Sequence, residues 1–278
     1  MKFKLWTMVA AGMLSVSLLV AGCNGSETEE TGKAPESAEQ ETETAGTENI
    51  EETQHTERTE QEEDTQQVEN TENTDAAYEV EQQTFRKDDM CDISYPQITG
   101  WKLQDKQEEW NRTFENYVEN AILDIGENDK VDIYFNIEEQ TDELLSMTIN
   151  YYYEVDGGAH PSSAMQSVNV NMQTGEKVTF ADLADPEKTA QILFDGTEGY
   201  TILKPQEVTM QDVLSYNFIW MEPTEEALAG SLSHFDGDTE DYGENETMGY
   251  SFRRNGKVCL IFYLSHAQGD YAVVQLEE

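Results

Sequence analysis

Four histidines occur in the 278-residue chain, and two sit where an imidazole could do chemistry. His160 closes the string Gly157-Gly158-Ala159-His160-Pro161. The two glycines permit unusual backbone angles, and Pro161 biases His160 toward extended geometry. A histidine held in this way reads either as a ligand contact or general acid–base group, or as a turn residue that satisfies local backbone groups. His266 and Asp270 border the last hairpin; with His160 they could make a metal site, since catalytic zinc takes three protein ligands. Their spacing in the chain does not by itself join them. A second cluster is rich in oxygen: Asp236, Asp238, Glu240, Asp241 and Glu244. Calcium uses such ligands, but Asp241 stands where an EF-hand loop needs glycine. The alternative is a solvated, self-repelling loop with no cofactor. There is no phosphate-cradling glycine loop and no Gly-x-Ser-x-Gly elbow. With so many carboxylates, any pair assigned to sugar cleavage would be arbitrary.

The cysteines carry a different chemistry. Lys2 and Lys4 precede an apolar run from Leu5 to Val20, and Leu19-Val20-Ala21-Gly22-Cys23 closes it. This is the pattern of a secretory signal peptide, with Cys23 in the lipobox position where a lipoprotein precursor is acylated and cut. Residues 1–22 are then the signal peptide. Cys23 carries the acyl chains, palmitate among them, that hold the protein at the outer face of the cytoplasmic membrane. Cys91 and Cys259 are the other two cysteines. In an exported domain they invite a disulfide, yet both lie in apolar, strand-like runs, where a buried thiol behaves as a small hydrophobe.

Charge divides the remainder. Residues 24–77 hold 18 acids against Lys33 and Arg58, and Ile50 and Val68 are their only large aliphatic residues. Such a segment cannot offset the backbone ordering cost of roughly 1–2 kcal/mol per residue, so residues 23–77 read as a disordered acidic tether. Residues 78–278 carry 40 acids and 12 bases among regularly spaced apolar residues, enough chain for one good core. A surface this acidic repels nucleic acid and anionic lipid. It attracts cationic proteins or metal ions, or serves solubility alone.

The elements that must position these groups form an α+β pattern. Trp110, Phe114, Tyr117, Val118, Ala121 and Ile122 recur at helical spacing, with charged residues between them. Strand patterns run over 91–98, 131–137, 144–155 and 165–172, with a short strand restarting at Val178 and Phe180. In the third of these segments Tyr151 and Tyr153 share one face and Tyr152 takes the other. Tyr134 and Tyr152 would then make an exposed aromatic patch suited to binding, unless another layer covers that face. Helices are expected over 186–194, after Thr209, and over 223–230, followed by a mobile loop at 233–247. Strands at 250–252, 258–264 and 271–276 end the chain, the first two joined across Asn255-Gly256. This predicts an antiparallel sheet packed against helices, either whole or as two closely associated lobes, 78–160 and 161–278.

Several of these segments resemble a known group of exported bacterial modules. They are Asp92-Ile93-Ser94-Tyr95-Pro96, Tyr151-Tyr152-Tyr153, Gly157-Gly158-Ala159-His160-Pro161, Thr174 through Leu183, and Leu260-Ile261-Phe262-Tyr263-Leu264. The stretch 88–276 is similar to the paired domains of unknown function outside the membrane in the lysozyme-sensing anti-sigma factor of Gram-positive bacteria. It also resembles the non-catalytic N-terminal part of a peptidoglycan deacetylase. The resemblance implies a surface-anchored binding module for a cationic protein such as lysozyme, without catalysis. A cell-wall glycan binder or modifier, and a passive envelope lipoprotein, are the competing expectations.

Overall fold

The computed structural model describes residues 76–87, 90–123, 126, 128–196, 198–219, 222–237 and 248–277. The expected signal peptide, Cys23 and nearly all of the expected tether lie outside the described residues. No described helix is long and apolar enough to cross a membrane.

The first sheet contains β1 (Glu79–Lys87), β2 (Cys91–Thr99), β3 (Lys130–Gln140), β4 (Leu144–Glu154) and β5 (Ser162–Asn171), side by side in that order. All pairs are antiparallel except β2 with β3. Helix α1 (Gln104–Leu123) joins those two, and a crossover helix returns the chain to pair in the same direction. Strand β1 was not legible in the sequence. Its Glu-Val-Glu-Gln-Gln-Thr run lacks the apolar alternation of a buried strand, and it lies at the sheet edge.

Helix α1 lays its apolar stripe on this sheet. Phe114, Val118 and Ala121 are buried against Ile133, Phe135, Met147 and Ile149. Each fully buried large side chain contributes roughly 1.5–3 kcal/mol. Asn111 fixes the helix against β2 by bonding both the N–H (2.7 Å) and the carbonyl (2.9 Å) of Ile98. The indole N–H of Trp110 donates to the Gly175 carbonyl at 3.0 Å.

The second sheet has the order β6 (Tyr200–Lys204), β9 (Tyr271–Leu276), β8 (Lys257–Tyr263), β7 (Gly249–Arg254). Strand β8 is central and buried through five consecutive residues, as its apolar run predicts. One face packs on helices α2 (Phe180–Leu183), α3 (Pro186–Asp195), α4 (Met210–Asn217) and α5 (Glu225–Ser233). The short strand expected at Val178 and Phe180 is replaced by the start of α2, because Asp182 accepts the Thr179 N–H at 2.9 Å and turns the chain into a helix. Asp185 caps α3 through the Glu187 and Lys188 N–H groups, with Pro186 next in line. Phe235, expected in a mobile loop, is fully buried. It meets Phe180 and Phe262 edge-on, with centroids at 6.3 and 5.3 Å. A Cβ at position 249 would stand 2.1 Å from the Phe235 ring, so only glycine fits there.

Strand β5 completes the first sheet, so the chain changes sheets after Asn171 and not at 160. Ser146, Thr148 and Asn150, the polar face of β4, are buried. The outer edge of β7 meets this face. Its Arg253 N–H donates to Ser146 Oγ (2.8 Å), Ser146 donates to Asn169 (2.7 Å), and the Asn169 amide donates to the Ser251 carbonyl (2.7 Å). An exposed strand edge is thus satisfied by side chains of another sheet. A bulge between Ile137 and Glu139 shifts the β3 register. It presents Glu138 to Arg254 (2.5 Å) and Glu139 to Arg253 (2.7 Å). Glu139 also accepts the Gly256 N–H at the tip of the β7–β8 hairpin, at 2.8 Å.

Candidate functional site

The loop after β4 and the loop after β8 converge. Gly157 has φ 75°, a left-handed conformation that glycine adopts at little cost. The Gly158 N–H closes the turn on the Val155 carbonyl at 2.8 Å. This delivers His160 to the exposed end of β5. In the second loop His266 opens a single 3₁₀ turn (His266–Gln268) and Asp270 follows with φ 70°. His266 Nδ1 lies 2.9 Å from Asp270 Oδ1. The other carboxylate oxygen accepts the Ser163 N–H of β5, also at 2.9 Å. The rings of His160 and His266 stand 5.7 Å apart between centroids, inclined by 29°. His160 and His266, 106 positions apart and placed by the sequence only in separate loops, thus meet in one cluster. Tyr152 is opposite Ser163, the residue that anchors Asp270, in the β4–β5 register. The Tyr216 phenol is pushed up by burial and then by the Asp270 carboxylate.

Chemically, Asp270 is an orienting acceptor. A carboxylate on Nδ1 selects the tautomer with its proton there and leaves Nε2 as a lone pair. The His266 side chain is 49% exposed and that of Asp270 is 17% exposed, so the imidazole meets solvent while its partner is held. Among the described residues, no set of three or more His, Cys, Asp or Glu side chains is placed to hold a metal.

The expected tyrosine pair takes a definite form. Tyr134 is opposite Asn150, which places it diagonal to Tyr152 on one face. Tyr134 is 47% exposed. Tyr152 is partly covered, with the Lys130 ammonium 5.6 Å from its ring centre. The partner face carries Tyr151 and Tyr153, stacked at 6.2 Å. The crevice between α1 and the sheet, lined by Tyr95, Phe114, Tyr117 and Tyr151 among others, has room for about one water.

Asp236 departs from its expected role in an oxygen cluster. It is buried, and its Oδ1 accepts the Ser251 N–H (2.8 Å) and the Ser167 hydroxyl (3.1 Å). Its Oδ2 accepts the Ser251 hydroxyl. Both oxygens are therefore consumed inside the protein, joining β5 to β7. Burial pushes its carboxyl up to about 6 from an ordinary 3.8, against the opposing pull of these hydrogen bonds and Lys177. Asp238, Glu240, Asp241 and Glu244 lie outside the described residues. The disulfide considered for Cys91 and Cys259 is not formed: the two are buried thiols in different apolar clusters. Burial pushes the Cys259 thiol up to about 11, which disfavours the reactive thiolate.

No protein-family profile matches the sequence, and no curated protein matches it. Solved structures similar to the chain include two DUF3298-family proteins. A DUF3298-family protein of Bacteroides fragilis is 14% identical, with a TM-score of 0.33 over 43% of this chain and 66% of the other. The present chain therefore spans just under two thirds of that protein. A DUF3298-family protein of Pseudomonas aeruginosa is 12% identical, with a TM-score of 0.37 over 72% of this chain and 90% of the other.

Proposed function

We propose that the protein is a binding module without catalytic activity, held at the outer face of the cytoplasmic membrane by acyl chains on Cys23, which captures a cationic extracellular protein. The observation that carries this reading is charge. Residues 78–278 hold 40 acids against 12 bases, and on α1 alone Asp105, Glu108, Glu109, Glu115 and Glu119 are exposed. A surface of this sign speeds encounter with a basic partner more than it deepens final affinity, so specificity must come from shaped contacts. The junction of His160, His266 and Tyr152 offers such contacts. The resemblance to the lysozyme-sensing anti-sigma factor and to the deacetylase N-terminal region favours lysozyme as the ligand. Exposed Tyr134 supports a second reading, a cell-wall glycan stacked on the open part of the sheet.

The test is association of the full chain with lysozyme, followed across salt concentrations. A saturable one-to-one complex whose on-rate falls with salt is expected. Equal binding of every basic protein, vanishing at about 0.15 M salt, would overturn the specific reading. Replacement of Cys23 by serine should abolish incorporation of labelled fatty acid and release the protein from membranes.

A further inference from the structure

The two loops that meet at His160 and His266 belong to different sheets, so the fold itself brings the imidazoles together. We propose that His160 and His266 form a two-imidazole site for a divalent first-row transition-metal ion, with Asp270 as the positioning residue behind His266.

Three observations carry this. The first is the second nitrogen of His266. Asp270 Oδ1 lies 2.9 Å from Nδ1, and metal-binding histidines characteristically place a carboxylate or carbonyl on the nitrogen that does not face the ion. Asp270 is itself tightly held. Its Oδ2 accepts the Ser163 N–H at 2.9 Å, its carbonyl accepts the Leu264 N–H at 2.8 Å, and its N–H donates to the Ser265 carbonyl at 3.2 Å. The carboxylate is thereby spent on orientation and stays outside the inner ligand set.

The second is the ring separation. With metal–nitrogen bonds of about 2.0–2.1 Å, two imidazoles on one tetrahedral ion have centroids roughly 5–6 Å apart. Those of His160 and His266 are 5.7 Å apart. Loading then calls for reorientation of the His160 ring while His266 keeps its contact with Asp270.

The third is access. Both residues are exposed, and with only two protein ligands the remaining coordination positions are open to water or to a donor group from a bound partner. The ligand type sets the ion class: imidazole suits zinc, copper and nickel, whereas calcium and magnesium take oxygen. The site is thus chemically separate from the general acidity of the surface.

The experiment is calorimetric titration of the full chain with Zn²⁺ near neutral pH, in excess Mg²⁺ to occupy carboxylate sites. One saturable site is expected, lost in His160→Ala and in His266→Ala alike. Asp270→Asn should bind roughly 10–100-fold more weakly. Loaded with Cu²⁺, Asp270→Asn should still show two nitrogen ligands by electron paramagnetic resonance, a signature that a merely structural role would not preserve. Unchanged Zn²⁺ binding in His160→Ala or His266→Ala, displacement by Mg²⁺, or an oxygen-only copper spectrum would each overturn the proposal. None of these readouts measures capture of a cationic protein, which is read separately by association with lysozyme.

Discussion

The two faces of the first sheet are held by different physics. Toward α1 the contact is apolar: Phe114, Val118, Met147 and Ile149 exclude water without any particular hydrogen-bond geometry. Toward the second sheet Ser146, Thr148, Ser167 and Asn169 are buried and committed to named partners. Apolar burial is non-directional and tolerates small shifts. A buried hydrogen-bond network allows one alignment and penalises each unmade bond. The helix face therefore supplies most of the cohesion, while the seam supplies the alignment that brings Asp270 to Ser163 and His266 to His160.

That contrast can be broken most forcefully on the helix side. Phe114→Ala removes a fully buried ring and should cost about 3–5 kcal/mol, read as a large fall in the urea midpoint. A loss under about 1 kcal/mol would mean that α1 is not integral to the core. A middle-sized effect belongs to the seam and depends on pH. Asp236 holds its proton more tightly when folded, at about 6 against 3.8. Its contribution is thus greatest below the ordinary carboxylate range and is lost as pH rises through about 4 to about 6. Asp236→Asn keeps an oxygen acceptor and removes the titration. Relative to the original chain it should gain roughly 2–3 kcal/mol between about pH 4 and about pH 8; parallel stability curves for the two proteins would refute this. The smallest effect sharpens the comparison. Asn150 Nδ2 is buried with no hydrogen-bond partner, so Asn150→Val should be neutral or stabilising by up to about 1 kcal/mol. Destabilisation instead would place Asn150 among the hydrogen bonds that hold the seam.

The same division explains what the sequence reveals. The stripe from Trp110 to Ile122, the alternation along β4 and the apolar run of β8 announce their elements, because burial of one face imposes a period. The seam has no period. For Ser146, Thr148 and Asn150 the pattern leaves open whether their face is solvated or covered, and the folded chain shows it covered. Asp236 is misread for the same reason: a carboxylate among carboxylates looks solvated until Ser167 and Ser251 are seen around it. For the candidate site the sequence marks His160, His266 and Asp270 individually as loop residues beside strands. Their meeting depends on how one sheet edge docks on the other sheet, which no local pattern encodes. Strand β1 escapes notice because an edge strand needs only one partner and carries polar residues freely, and β6, only five residues long, is too short to show a period.

The extra residue in β3 has a consequence of its own. In a regular strand two successive side chains point to opposite sides, so adjacent glutamates could never grip the same hairpin. The bulge lets Glu138 and Glu139 act as a two-tined fork around the Arg253–Gly256 tip. Deleting one residue there would restore textile-like regularity to the ladder and, in doing so, turn one tine outward. A local irregularity in one sheet thus adds a second grip, at the hairpin tip, to the seam that aligns the other sheet.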